Sequence, residues 1–167
     1  MYLSIPYHRQ DTDYTCGPAA LQMLLHHFNG IYPSEIELTK RLNTKNKPGQ
    51  DGTQHVDLVR VLREEGLHVH IDHNATLESL ESLLKLKLPA LVHYIEPEGD
   101  AGHYAVVVGM SAERIYLNDP WHGSGFSFTR EEFETRWHDG RGIHTRWLLV
   151  ASSEPILPDL HLSPEEI

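Results

Sequence analysis

One cysteine, Cys16, occurs in the 167-residue chain, and it stands directly ahead of Gly17-Pro18 and the apolar run "AALQMLL". A lone thiol beside an apolar helix is ordinarily a small buried hydrophobe. The context here allows more chemistry. Pro18 suits the first turn of a helix, Leu21, Leu24, Leu25 and Phe28 recur at helical spacing, and Asn29-Gly30 is a stop signal. Cys16 therefore falls at a helix N-terminus, where unpaired N–H groups and the positive end of the dipole favour the nucleophilic thiolate. Gly17 permits other backbone to approach closely.

A thiolate nucleophile needs a proton carrier. "GHYAVVVG" puts His103 at the head of an almost wholly apolar strand, and the next strand, "RIYLNDP", ends at Asp119. If Met110, Ser111 and Ala112 form the hairpin loop, Gly109 pairs with Glu113 and the same register sets His103 opposite Asp119. Their Cβ atoms are then roughly 4.5–5.5 Å apart, so the carboxylate can hold one imidazole nitrogen. Asp-Pro also ends strands for its own conformational reasons. Asn118 is a rival orienting group, but its side chain projects from the opposite sheet face. Gln10, six residues before Cys16, is an uncharged amide that, with the Cys16 backbone N–H, can donate to a developing oxyanion.

The elements that must position these groups change character along the chain. A second helix follows Ser34, with Glu37 completing a capping box, and carries Ile36, Leu38 and Leu42 into the polar loop 44–52. Thr53 opens a third helix that Gly66 closes, and Thr76 opens a fourth that ends before Pro89. Between them "LHVHID" alternates as a strand. Beyond Pro89, "ALVHYI", "HYAVVVGM", "RIYLND" and "TRWLLVA" read as strands, with one short helix from Thr129 to Trp137. A helical N-terminal half preceding a sheet-forming C-terminal half predicts an α+β domain, the helices packed on an antiparallel sheet. The domain is expected to cover residues 1–152, and the Pro-containing acidic tail 153–167 to lie at the surface.

Composition narrows the partners. Acidic residues outnumber Lys and Arg by 24 to 14, the formal charge is −10, and the cations are scattered, so nucleic acid and anionic membrane are poor partners. A single cysteine cannot form an internal disulfide or a thiolate zinc cluster, and no run approaches the roughly 18 apolar residues of a membrane span. The expected location is the cytoplasm.

Gln10 with "DTDYTCGPAAL", followed in order by "DGTQHVDLVRVLREEGL", "LLKLKLPALVHY", "GHYAVVVG", "LNDP" and "REEFETRW", resembles the double-glycine leader peptidases. These are papain-like cysteine peptidases best known as domains of bacteriocin exporters. The resemblance implies a papain-like fold, Cys16 as nucleophile, His103 as general base and acid, Asp119 as its orienting carboxylate and Gln10 as oxyanion donor. It implies a peptide or protein substrate, cleavage after small residues such as Gly-Gly, and no cofactor. This chain shows neither membrane-spanning segments nor a nucleotide-binding motif, which points to a freestanding member. Acyl transfer or isopeptide hydrolysis on the same scaffold is an alternative, as is a non-catalytic peptide-binding module. A metal site at His68, His70 and His73 competes with a simpler reading of His68 and His70 as a solvated strand face. Trp121 and His122 can wall the substrate groove or simply pack.

Overall fold

A computed structural model describes residues 1–156 and the two-residue strand at 163–164. In chain order the elements are α1 (Cys16–Asn29), α2 (Glu35–Arg41), α3 (His55–Glu64), β1 (His68–Asp72), α4 (Leu77–Lys85), β2 (Ala90–Ile95), β3 (Gly102–Met110), β4 (Arg114–Asp119), β5 (Gly123–Thr129), α5 (Arg130–Arg136), β6 (Leu148–Ser152) and β7 (Ser163–Pro164). The strands form one antiparallel sheet in the order β5-β4-β3-β2-β6-β1-β7.

The pleat divides the central strands between two cores. Tyr104, Val106, Val108, Leu91, Leu149 and Ala151 face the layer of α1, α2 and α3. Their neighbours Ala105, Val107, Val92, Leu148 and Val150 face α4 and α5. Near-continuous apolar runs follow from burial on both faces. The α+β expectation holds, and the helices lie on both sides of the sheet.

Local signals explain most element ends. Gly30 closes α1 in the left-handed region at φ 74°, its N–H bonded to His26 O. Ser34 and Thr129 cap α2 and α5 by accepting from Glu37 N and Glu132 N, both at 3.1 Å. The Thr76 capping box closes with Ser79.

Other expectations need correction. Thr53 does not cap α3; its hydroxyl pairs with Thr44 Oγ1 at 2.8 Å, and Gln54 stands at the cap. Ile36 is 70% exposed because it lies on the opposite side of α2 from Leu38 and Leu42. β5 escapes a hydrophobic reading because Gly and Ser dilute its Phe alternation. In the tail, β7 adds to β1 at His70 and Ile71, whereas residues 157–162 and 165–167 lie outside the described part of the chain.

The β3–β4 register also differs from the simple hairpin. Val106 pairs with Asn118, Met110 with Ile115, and a bulge falls between Val107 and Gly109. The first residues of the chain are bonded there: Leu3 N donates to Val108 O at 2.6 Å and Met110 N to Met1 O at 2.9 Å. A Cβ on Gly109 would stand 2.7 Å from the Tyr2 ring. Asp119 is consequently opposite Ala105, two residues beyond His103. The offset is even, so Asp119 and His103 keep the same face and meet diagonally.

Candidate active site

The start of α1, the end of β2, the start of β3 and the end of β4 converge at one end of the sheet. Cys16 is the first residue of α1 and is 9% exposed. The preceding Thr15 provides no side-chain cap, because its hydroxyl is engaged with Thr12, and the first turn holds no acidic residue. The helix N–H groups thus direct their positive end toward the sulfur without a competing carboxylate. Gly17 allows the packing: a Cβ there would meet Thr53 Oγ1 at 2.5 Å.

His103 Nε2 is 2.7 Å from Asp119 Oδ1. Asp119 is fully buried, and its oxygens collect further donors: the backbone N–H groups of Trp121 and His122, each at 2.9 Å, and the Tyr94 hydroxyl. Burial alone would raise the pKa of this carboxyl, but the His103 bond and its neighbours hold it below the ordinary value. Burial likewise pushes Tyr94 up, reinforced by the Asp119 charge, so Tyr94 remains a neutral donor.

Burial would lower the His103 pKa. The adjacent Cys16 sulfur and the Asp119 hydrogen bond outweigh it and raise the imidazole to about 10. With Nε2 held by Asp119, Nδ1 is the ring nitrogen left to exchange a proton with Cys16.

Gln10 is 5% exposed and lines the same cleft. Its Nε2 donates to Thr12 O at 2.6 Å, leaving its second N–H for another acceptor, and Oε1 has no partner. Gln10 N bonds Pro120 O at 3.0 Å, and Tyr7 Oη donates to Asp119 O at 2.7 Å. The strand end carrying Asp119 therefore also locates the approaching Gln10 segment.

All four predicted site residues are brought together. Asn118 points away, donating to Ile5 O and accepting from Ser124 and Gly125. Trp121 and His122 both stand beside the site: His122 Nε2 pairs with Glu96 at 3.0 Å, and Trp121 Nε1 bonds Glu98 at 3.1 Å. His68, His70 and His73 do not converge as metal ligands. Among the described residues the metal-capable group is Glu96, Glu98 and His122, whose ligand atoms lie within 4.8 Å of one another.

Sequence reasoning missed Tyr94, although it is the direct β2 partner of His103. The turn signal in "EPEGDAG" would place it there once that loop is set at residues 96–101. It also missed the far side of the cleft, about 520 Å³ in volume, where His55, His93 and His144 form a wall. His55 stacks on Trp147 at 3.9 Å, and its Nδ1 lies 2.6 Å from the Tyr104 hydroxyl.

The chain as a whole is similar to known proteins. Residues 4–143 match the peptidase C39 family. The transport/processing ATP-binding protein ComA of Streptococcus pneumoniae is 31% identical over 133 residues, 78% of this chain but 17% of that protein. The chain thus spans under a fifth of that relative. The crystal structure of the peptidase domain of Streptococcus ComA superposes with a TM-score of 0.72 at 22% identity, covering 90% of this chain and all of that one. A double-glycine motif protease from an AMS/PCAT transporter, in complex with its leader peptide, gives 0.65 at 21% identity, covering 90% and 92%. Both likenesses establish the papain-like fold. Among the described residues no helix is long and apolar enough to cross a membrane.

Proposed function

The chain belongs to the peptidase C39 family, a family of cysteine peptidases, and from that premise we propose that it cleaves peptide bonds through Cys16, His103, Asp119 and Gln10. The observation that carries this reading is the hydrogen-bonded Asp119–His103 pair, its imidazole pushed up to about 10 beside the Cys16 sulfur in an open cleft.

The Cys16 thiol gives its proton to His103 Nδ1, and the sulfur attacks the substrate carbonyl. The oxyanion is met by the second N–H of Gln10 Nε2 and the backbone N–H of Cys16. As the C–N bond breaks, His103 returns that proton to the leaving amine, leaving a thioester on Cys16. Water attacks the thioester while His103 accepts its proton. The acid is released and the sulfur freed. Asp119 holds the ring without itself taking the proton. The leader-peptide complex of the structural neighbour supports a peptide substrate, and double-glycine cleavage by that neighbour makes small residues before the scissile bond the first choice.

Profiling a peptide library with wild-type protein and Cys16→Ala tests both activity and cleavage preference. Cleavage by wild type alone supports the reading. Absence of cleavage, together with Cys16 alkylation no faster than a free thiol and indifferent to His103→Ala, would leave a peptide-binding module instead.

A further inference from the structure

Resting on the peptidase reading above, we propose that the substrate is a cationic peptide, with lysine or arginine within a few residues of the scissile bond. Asp13, Asp51, Glu96, Glu98 and Asp139 line the cleft, against one permanent cation, Arg141. Among the described residues, none of these carboxylates pairs with a lysine or arginine. Glu96 alone has an imidazole partner, His122.

The charges come from separate segments of the cleft lining: Asp13 follows the Gln10 segment tied to Pro120, and Glu98 accepts from Trp121 Nε1. Asp51 adjoins the Gly52-Thr53 wall, and the Asp139 charge acts on His55 and His93. Unneutralised carboxylates around a cleft with low-dielectric walls concentrate a cationic ligand and repel an acidic one.

The hydrogen-bonding groups are unbalanced in the same sense. Tyr104 has one hydroxyl hydrogen and gives it to Thr53 O at 2.9 Å, so the 2.6 Å contact with His55 requires His55 Nδ1 to donate. His55 Nε2 can then only accept. Burial, followed by the neighbouring imidazoles, pushes the His55 pKa down to about 2, so the ring stays neutral. Gln10, 5% exposed, has an unpartnered acceptor in Oε1 on the same cleft. An ammonium or guanidinium supplies the donors these acceptors lack, whereas an acidic peptide leaves them unpaired.

The test uses three fluorogenic peptides with one Gly-Gly scissile segment flanked by Lys, Gln or Glu. In about 0.02 M salt the Lys peptide is expected to exceed the Glu peptide at least about tenfold in kcat/KM, and the ratio to approach one near about 0.5 M. Equal kcat/KM values, or a preference insensitive to salt, would overturn the proposal. Asp51→Asn with Glu98→Gln should cut the low-salt ratio about threefold or more; an unchanged ratio counts against it. The salt series needs no variant and decides the matter if that double variant misfolds. Fluorescence anisotropy with Cys16→Ala separates the two readings. Tighter binding of the Lys peptide without wild-type cleavage upholds the charge preference and sinks the peptidase; equal cleavage of all three peptides does the reverse; neither binding nor cleavage sinks both.

Discussion

The two ends of the cleft are built on opposite plans. At one, Asp119 is fully buried with its oxygens engaged by His103, Tyr94 and two backbone N–H groups. At the other, the buried Nδ1 atoms of His93 and His144 have no hydrogen-bond partner, and His55 keeps one ring nitrogen uncommitted. A saturated network fixes geometry, while unsatisfied groups are free to accommodate something else. The proposed function sets the chemistry at the first end, and the proposed charge preference sets recognition at the second.

The comparison can be broken by substitutions that strike one end only. The largest effect is expected from Cys16→Ala or His103→Ala, each lowering kcat/KM by about 10⁴-fold or more while the folded circular dichroism spectrum persists. Gln10→Ala is next, with kcat falling about 10²–10³-fold and KM moving far less, as measured by steady-state cleavage. Tyr94→Phe should lower kcat about tenfold and the unfolding free energy by about 1–3 kcal/mol, because Asp119 Oδ2 loses its donor in a buried site. An unchanged kcat would show that the saturated end tolerates a missing bond. At the other end, His55→Phe keeps the stack on Trp147 but loses the Tyr104 contact and the Nε2 acceptor, so stability should drop by about 1 kcal/mol with kcat little altered.

Titration sharpens the contrast. The folded pKa of His103 is raised to about 10 from 6.5, so its stabilising contribution is complete below about pH 6.5 and is lost as pH rises through about 10. That of His55 is lowered to about 2 from 6.5; the neutral ring therefore stabilises the fold above about pH 6.5, and the contribution is lost as pH falls toward 2. Imidazole resonances followed by NMR should report the two shifts in opposite directions. Removing the sulfur in Cys16→Ala should bring the His103 value down.

Much of the first end was legible because its signals are local. A proline in the first turn, a glycine stop and a helical apolar repeat put Cys16 at a helix start, and a polar residue heading an apolar strand marked His103. Pairing them with Asp119 survived an incorrect register because the hairpin end is shifted by three residues and the bulge between Val107 and Gly109 takes back one, leaving an even net displacement of two. A displacement of one would have turned Asp119 to the other face. Tyr94 required a second register, between β2 and β3, and the His55 chain required a contact between residues 49 positions apart, Tyr104 with His55. No periodicity encodes such distant contacts. Thr53 shows the limit of capping rules: a tertiary bond to Thr44 took the hydroxyl that local geometry would have used.

The opening residues of the chain behave as a splint laid across the sheet. One end is fastened where Leu3 meets Val108, the other where Gln10 meets Pro120 and Tyr7 meets Asp119. Cutting the splint between those fastenings would leave the scaffold standing but loosen the segment that carries Gln10. A single nick upstream of Tyr7 would thus give a latent, intact-looking enzyme whose sulfur and imidazole are untouched.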